Sequence, residues 1–188
     1  MKFLKYILGI IAILVIGFLA LGLIKPKVSH DCEIMVEKPI TESWAVIQDE
    51  GKMSEWLPGF QKIEHISGTP GTVGAVSNVY FDTNGQKTTI RESITDIVPD
   101  ESISMSYSSD FMDMDYTMTM TPINGMTKIS SSTTAVGNGM ISKSIMALIG
   151  GSIKGQEETN LSNLKKTIEQ NTKDYFHAED KRTETNED

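Results

Sequence analysis

Hydrophobic residues follow three rhythms along this chain of 188 residues. From Tyr6 to Ile24 they run for 19 residues without a charge, close to the ~20 that cross a bilayer as a helix. From Phe60 to Val136 they alternate with polar residues, the period of strands with one buried face. After Gly137-Asn138-Gly139 the period lengthens to about 3.6. There Ile141, Ile145, Leu148, Ile149, Ile153, Leu161, Leu164 and Ile168 form one stripe of a long helix.

The turns between these runs are equally legible. Residues 30–37 alternate weakly through Cys32, Ile34 and Val36 and predict an opening strand. Pro39 suits a helix start, and Ile40, Trp44 and Ile47 recur at helical spacing up to Gly51. A second short helix is predicted over about 52–57, stopped by Pro58-Gly59. Asn84-Gly85 and Asn124-Gly125 are the dipeptide of tight hairpins, and "SGTPGTVG" and "VPDE" mark two further loops. The order is a strand, two short helices, six antiparallel strands and one long helix. A sheet with one apolar face and one amphipathic helix to cover it is an α+β domain.

Charge and composition sharpen this picture. Residues 1–27 read as an uncleaved membrane anchor, because a signal peptide has a core of only about 7–15 residues before a small-x-small site. Here the single candidate site, Ala20-Leu21-Gly22, lies inside the apolar run. Lys2 and Lys5 precede the run and Lys25 and Lys27 follow it. With the terminal amine, that bias places the amino terminus in the cytoplasm and the domain outside, in the periplasm of a bacterium. Residues 28–188 carry 13 basic and 25 acidic residues, a net of −12. Such acidity excludes a nucleic-acid footprint and electrostatic docking on anionic headgroups, and leaves the anchor as the expected contact with the membrane. Cys32 is the only cysteine, so no internal disulfide and no thiolate metal site can form. Residues 28–170 make one domain, and 171–188, charged and nearly free of aliphatics, are expected to be a disordered tail.

Several stretches resemble a known superfamily. "PITESWAVIQDEGKMSEWLPGFQKIE", with Pro39, Trp44, Asp49, Trp56 and Pro58, is similar to the opening of the START-like (SRPBCC) proteins. These include the Bet v 1-like plant allergens, START lipid-transfer domains and polyketide cyclase/dehydrase proteins. "GTVGAV" resembles the start of that superfamily's third strand, and "RESITDIVPDESISMSY" its central hairpin. The resemblance covers roughly residues 30–170. It implies a helix-grip fold, a curved antiparallel sheet of about seven strands wrapped around the long C-terminal helix. It also implies a cavity between them, in which most members bind an apolar ligand and a minority catalyse reactions. The anchor is not part of that pattern.

The candidate site residues follow from parity. "MDMDYTMTM" at 112–120 sets Met112, Met114, Tyr116, Met118 and Met120 on one face. Met105 and Tyr107 of the preceding strand join them. Methionine is unbranched and polarizable, so a wall made of it re-packs around varied apolar shapes. Any single one of these residues reads as ordinary core. As a set they read as a cavity wall, because the facing helix carries Gly150, Gly151 and Gly155, each costing about 1 kcal/mol in a helix interior. Trp56 is assigned to the rim, with a core anchor as the equal alternative.

Other motifs carry less. Asp113 and Asp115 alternate with the methionines and point outward. Glu92 shares parity with Ile90 and Ile94, but a single bulge would turn it out, and the outward reading is preferred. His30, His65 and His177 lack metal-ligand spacing and default to the surface. No nucleophile–base set emerges, and no cofactor or metal is expected. The reading is membrane-tethered binding of a hydrophobic small molecule, a lipid, quinone or isoprenoid-like compound, in a sheet–helix cavity. The alternatives are a cyclase/dehydrase-type enzyme using the same cavity, or a protein-interaction module with a filled core; no protein partner can be named.

Overall fold

The protein is described by a computed structural model covering residues 2–176. His177 and the remainder of the predicted tail lie outside the described residues. The chain opens with the apolar helix α1 (Lys2–Ile24), followed by strand β1 (Lys27–Val36). Helix α2 (Ile40–Gln48), a single 3-10 turn (Glu50–Lys52) and helix α3 (Met53–Trp56) come next. Six strands follow: β2 (Phe60–Ser67), β3 (Val76–Thr83), β4 (Gln86–Val98), β5 (Ser102–Ser108), β6 (Met112–Ile123) and β7 (Met126–Gly137). Helix α4 (Met140–Glu169) ends the domain.

The seven strands form one antiparallel sheet in the order β1-β7-β6-β5-β4-β3-β2. All neighbours are sequential except β1, which closes on β7. The tight hairpins sit where Asn-Gly predicted them. Asn84 and Gly85 have φ of 54° and 85°, and Asn124 and Gly125 have 51° and 81°, the left-handed pair that matches strand twist. The sheet, the two short helices and the terminal helix match the fold expected from the sequence.

Helix α4 lies along β1 and β7 and makes no comparable approach to β3, β4 or β5. Its second half is the hydrophobic lid of one end of the sheet. Leu161, Leu164 and Ile168 are fully buried against Val36, Ile103, Met118, Met120 and Ile129, with Val46 and Ile47 of α2 closing the side. Each such side chain contributes about 1.5–3 kcal/mol on burial. Polar ties fix the same end. Lys165 Nζ donates to Met35 O at 2.6 Å and to Glu169 Oε1 at 2.7 Å, and the Glu37 N–H donates to the latter oxygen at 2.8 Å. Buried Ser43 of α2 donates to Thr127 Oγ1 at 3.3 Å, which in turn donates to Lys38 O at 2.7 Å.

Two expectations need correction. The single stripe along α4 divides: Ile141 and Leu148 are 63% and 62% exposed, and Ile149 is exposed too. Only from Ile153 onward does the stripe turn toward the sheet, because the first half is flanked by α1 instead. The tail does not start free at 171 either. Lys173 Nζ and the Tyr175 hydroxyl both donate to Asp49 Oδ2, at 2.7 and 2.8 Å, which pins residues 171–176 to the corner after α2.

Candidate functional site

Cross-strand register sets the inner face of the sheet rung by rung. Met118 stands between Ile103 and Ser131, Tyr116 between Met105 and Thr133, and Met114 between Tyr107 and Ala135. All seven methionines and tyrosines of the predicted wall therefore share the face toward α4. Their burial differs along the strand. Met118 and Met120 are 3% and 4% exposed under Leu161 and Leu164, whereas Met105, Tyr107, Met112, Met114 and Tyr116 are half-buried. The inner face is thus covered at one end and only partly covered at the other.

The glycines behave differently from one another. A Cβ on Gly150 would stand 3.2 Å from Val28 Cγ1, so this glycine permits close approach of α4 to β1. A Cβ on Gly151 or Gly155 would meet nothing within 4 Å, and Gly151 is exposed. Gly150 is thus the glycine that abuts the sheet, and it closes a gap there. Trp56 is half-buried against the core, and its indole Nε1 is buried without a hydrogen-bond partner.

This face is more polar than the sequence reading allowed. Glu92 lies opposite Ser77 and Tyr107, so it faces inward. The bulge expected to turn it out occurs between Ile94 and Asp96, beyond it. Burial raises the Glu92 carboxyl above its ordinary range; the Tyr107 hydroxyl opposes that shift, Glu50 adds to it and His65 weakens it. Tyr107 is pushed well up by burial and by Glu92, and its hydroxyl donates to Met105 Sδ at 3.2 Å. Next along the row, on the edge strand, His65 Nδ1 lies 3.0 Å from Ser77 Oγ and its Nε2 3.0 Å from Glu50 Oε1.

A second polar cluster faces the first from the α4 side. The Tyr116 hydroxyl donates to Glu157 Oε1 at 2.9 Å, and burial followed by that carboxylate raises the tyrosine well above its usual value. Ser131 Oγ lies near the same hydroxyl without the geometry of a hydrogen bond. His30, one rung across from Thr133, has both ring nitrogens buried and unpartnered. Both ring nitrogens are free to hydrogen-bond a group placed there.

Sequence reasoning left His30 on the surface, turned Glu92 outward and passed over Glu157. A signal existed for each. His30 has the parity of Cys32 and Ile34, Glu92 that of Ile94, and Glu157 falls midway between Ile153 and Leu161 on the inward stripe. A surface pocket of about 310 Å³ opens among the outward residues Lys27, Ser106, Ser108, Asp113, Asp115, Thr134 and Val136, and it also reaches Tyr107 and Met114 of the predicted wall. Its aspartates point outward as expected, each accepting from a serine: Ser106 Oγ to Asp115 at 2.6 Å and Ser108 Oγ to Asp113 at 2.9 Å. Among the described residues no cluster of His, Cys, Asp or Glu could hold a metal ion.

Chemically, the inner face offers an apolar row of methionines and tyrosines and a carboxyl that burial raises above its ordinary range, and the domain also holds buried imidazole and indole nitrogens without partners. Solved structures share this architecture at low identity. The Zhui aromatase/cyclase from Streptomyces sp. R1128 aligns with a TM-score of 0.65 at 13% identity, covering 78% of this chain and 96% of that one. Ara h 8.0201 aligns with a TM-score of 0.64 at 16% identity, covering 77% and 99%. A structural-genomics protein from Chromobacterium violaceum aligns with a TM-score of 0.63 at 18% identity, covering 77% and 99%. No curated protein shows a significant sequence match. Residues 27–169 match the family described as polyketide cyclase / dehydrase and lipid transport, and the chain belongs to that family.

Proposed function

We propose that the protein binds a hydrophobic small molecule bearing one polar group in the groove between α4 and β3–β5, while α1 holds it at a membrane. The family's range, cyclase, dehydrase and lipid transport, supports an apolar ligand. The observation that carries the reading is the pair of buried, unpartnered nitrogens of His30, on the same cross-strand rung as Thr133 and Tyr116, whose hydroxyl donates to Glu157. Leaving such groups unsatisfied costs about 1–3 kcal/mol each. A ligand carbonyl or hydroxyl would recover that cost, while the methionine wall takes the apolar body. Tethering raises the effective concentration of a membrane-derived ligand, and the lysine bias favours a domain outside the cytoplasm.

The test pairs native mass spectrometry and solvent extraction of the full chain with a His30→Leu variant. A stoichiometric apolar molecule is expected in the wild type, with affinity reduced about tenfold in the variant while its melting temperature holds or rises. A histidine that serves only the core would raise stability on replacement and leave binding untouched, which would sink the reading.

The second reading, a cyclase/dehydrase-type enzyme, has one specific observation in its favour. Glu92 and Tyr107 form an inward acid–hydroxyl pair with the carboxyl raised by burial, as a general acid requires. Glu92→Gln would then abolish turnover and spare ligand retention.

A further inference from the structure

The first half of α4 is apolar on faces that the sheet does not use. From Gly139 to Ile153 the only charged residue is Lys143. Met140, Ile141, Leu148 and Ile149 are exposed there, and so is Phe111 in the turn before β6. Phe111 is tied to this helix start, since its carbonyl accepts the Asn138 N–H at 2.8 Å. In water, such a patch is costly; against lipid it is not.

Helix α1 supplies the depth at which this surface sits. Phe3–Ile24 is a 22-residue apolar span, almost wholly exposed. At 1.5 Å per residue it is about 33 Å long, matching a hydrocarbon core of about 30 Å. Its last turns pack directly on the first turns of α4. Gly22 approaches so closely that a Cβ on it would lie 2.6 Å from Ser144 Oγ and 2.7 Å from Ser144 N. Ser144 Oγ donates to Met140 O at 3.0 Å and stands 3.5 Å from Leu19 O. Leu19 is roughly 7.5 Å down the helix axis from Ile24. A helix packed against Leu19 and Gly22 cannot stand in bulk water while those residues stand among acyl chains.

We propose that the first three turns of α4, together with Phe111, lie in the headgroup–acyl boundary of the bilayer that α1 crosses. The inference rests on α1 being a membrane anchor, and it revises the expectation that the anchor is the domain's sole contact with lipid. The attraction is apolar burial. A domain of net charge −12 is repelled by anionic headgroups, so a neutral zwitterionic membrane suffices. The half-buried end of the inner face lies next to this part of α4. Gly150 abuts Val28, whose rung continues through Ala135 to Met114 and Tyr107. A lipid-soluble ligand then enters from the membrane without crossing water.

Single cysteines at Phe111, Ile141 and Leu148, made in a Cys32→Ser background and labelled with an environment-sensitive fluorophore, test this in the full chain. The membrane is a phosphatidylcholine vesicle with or without doxyl-labelled lipid, Ile13→Cys on α1 reports the span, and Thr121→Cys at the far end of β6 reports water. Quenching of about two-fold is expected at all three test positions and at Ile13, with none at Thr121, for a helix seated at the acyl boundary. Quenching at Ile13 with the three test positions behaving like Thr121 would overturn the docking and leave the anchor standing. No quenching at Ile13 would remove the anchor, and the docking with it.

Discussion

Two ends of one sheet face set the same residue type in opposite surroundings. At the closed end Met118 and Met120 lie beneath Leu161 and Leu164 and are nearly as buried as they are. At the open end Met112 and Met114, on the same strand and face, are only half-buried, with Tyr107 and Glu92 beyond them. The difference comes from what α4 presents above each. Its second half offers a continuous aliphatic stripe; its first half offers Gly150 to β1 and turns its large side chains toward α1 and the outside. A methionine strand is core where a leucine stripe covers it and half-exposed where none does.

The sharpest way to break this comparison is to truncate both ends. Leu164→Ala should destabilise the protein by about 2–5 kcal/mol, because the closed end cannot collapse onto the lost volume. Met114→Ala should cost under about 1 kcal/mol in the same chemical denaturation, since its site already opens to solvent. Equal losses would show that the interior is one uniform core. Next in size is Tyr116→Phe, which strips Glu157 of its donor and should cost about 1–3 kcal/mol while weakening ligand retention.

Acid and base should tell the ends apart with opposite signs. Asp49, beside the closed end, is held below its ordinary range chiefly by the Lys173 hydrogen bond. Its contribution is complete above the unfolded value and is lost as pH falls through the folded one. Asp49→Asn should therefore destabilise by about 1 kcal/mol at neutral pH, and the difference should vanish in strong acid. Glu92 runs the other way. Its folded value is raised by burial, so the penalty on its ionised form is absent in acid and grows as pH rises from the unfolded toward the folded value. Glu92→Gln should leave stability unchanged in acid and raise it above neutrality, a gain read as melting temperature against pH. A melting temperature of Glu92→Gln that tracks the wild type at every pH would mean the carboxyl is solvated.

Most of the architecture was written in short-range signals. The Asn-Gly hairpins, the Pro39 helix start and the change from period two to about 3.6 each depend on local backbone preference. The inner face was less legible, because it depends on register between distant segments. Parity put Glu92 on the inner face, yet whether a bulge intervened was decided by the pairing of β4 with β5, and the bulge fell after it. His30 was dismissed for its residue type, although the pairing of β1 with β7 buries it. The split of the α4 stripe needed knowledge of α1, which carries its own apolar signal and hides the fact that Gly22 meets Ser144.

Only Lys25 and Pro26 separate the end of α1 from the start of β1. Two residues, one of them proline, leave little slack for the domain to swing. With α1 seated in a bilayer, the domain is a fixture rather than a float: it drifts sideways with the lipid, and its reach into the surrounding water is no greater than its own height. So seated, it could not ferry cargo across a compartment, and whatever took a bound ligand onward would have to come to it.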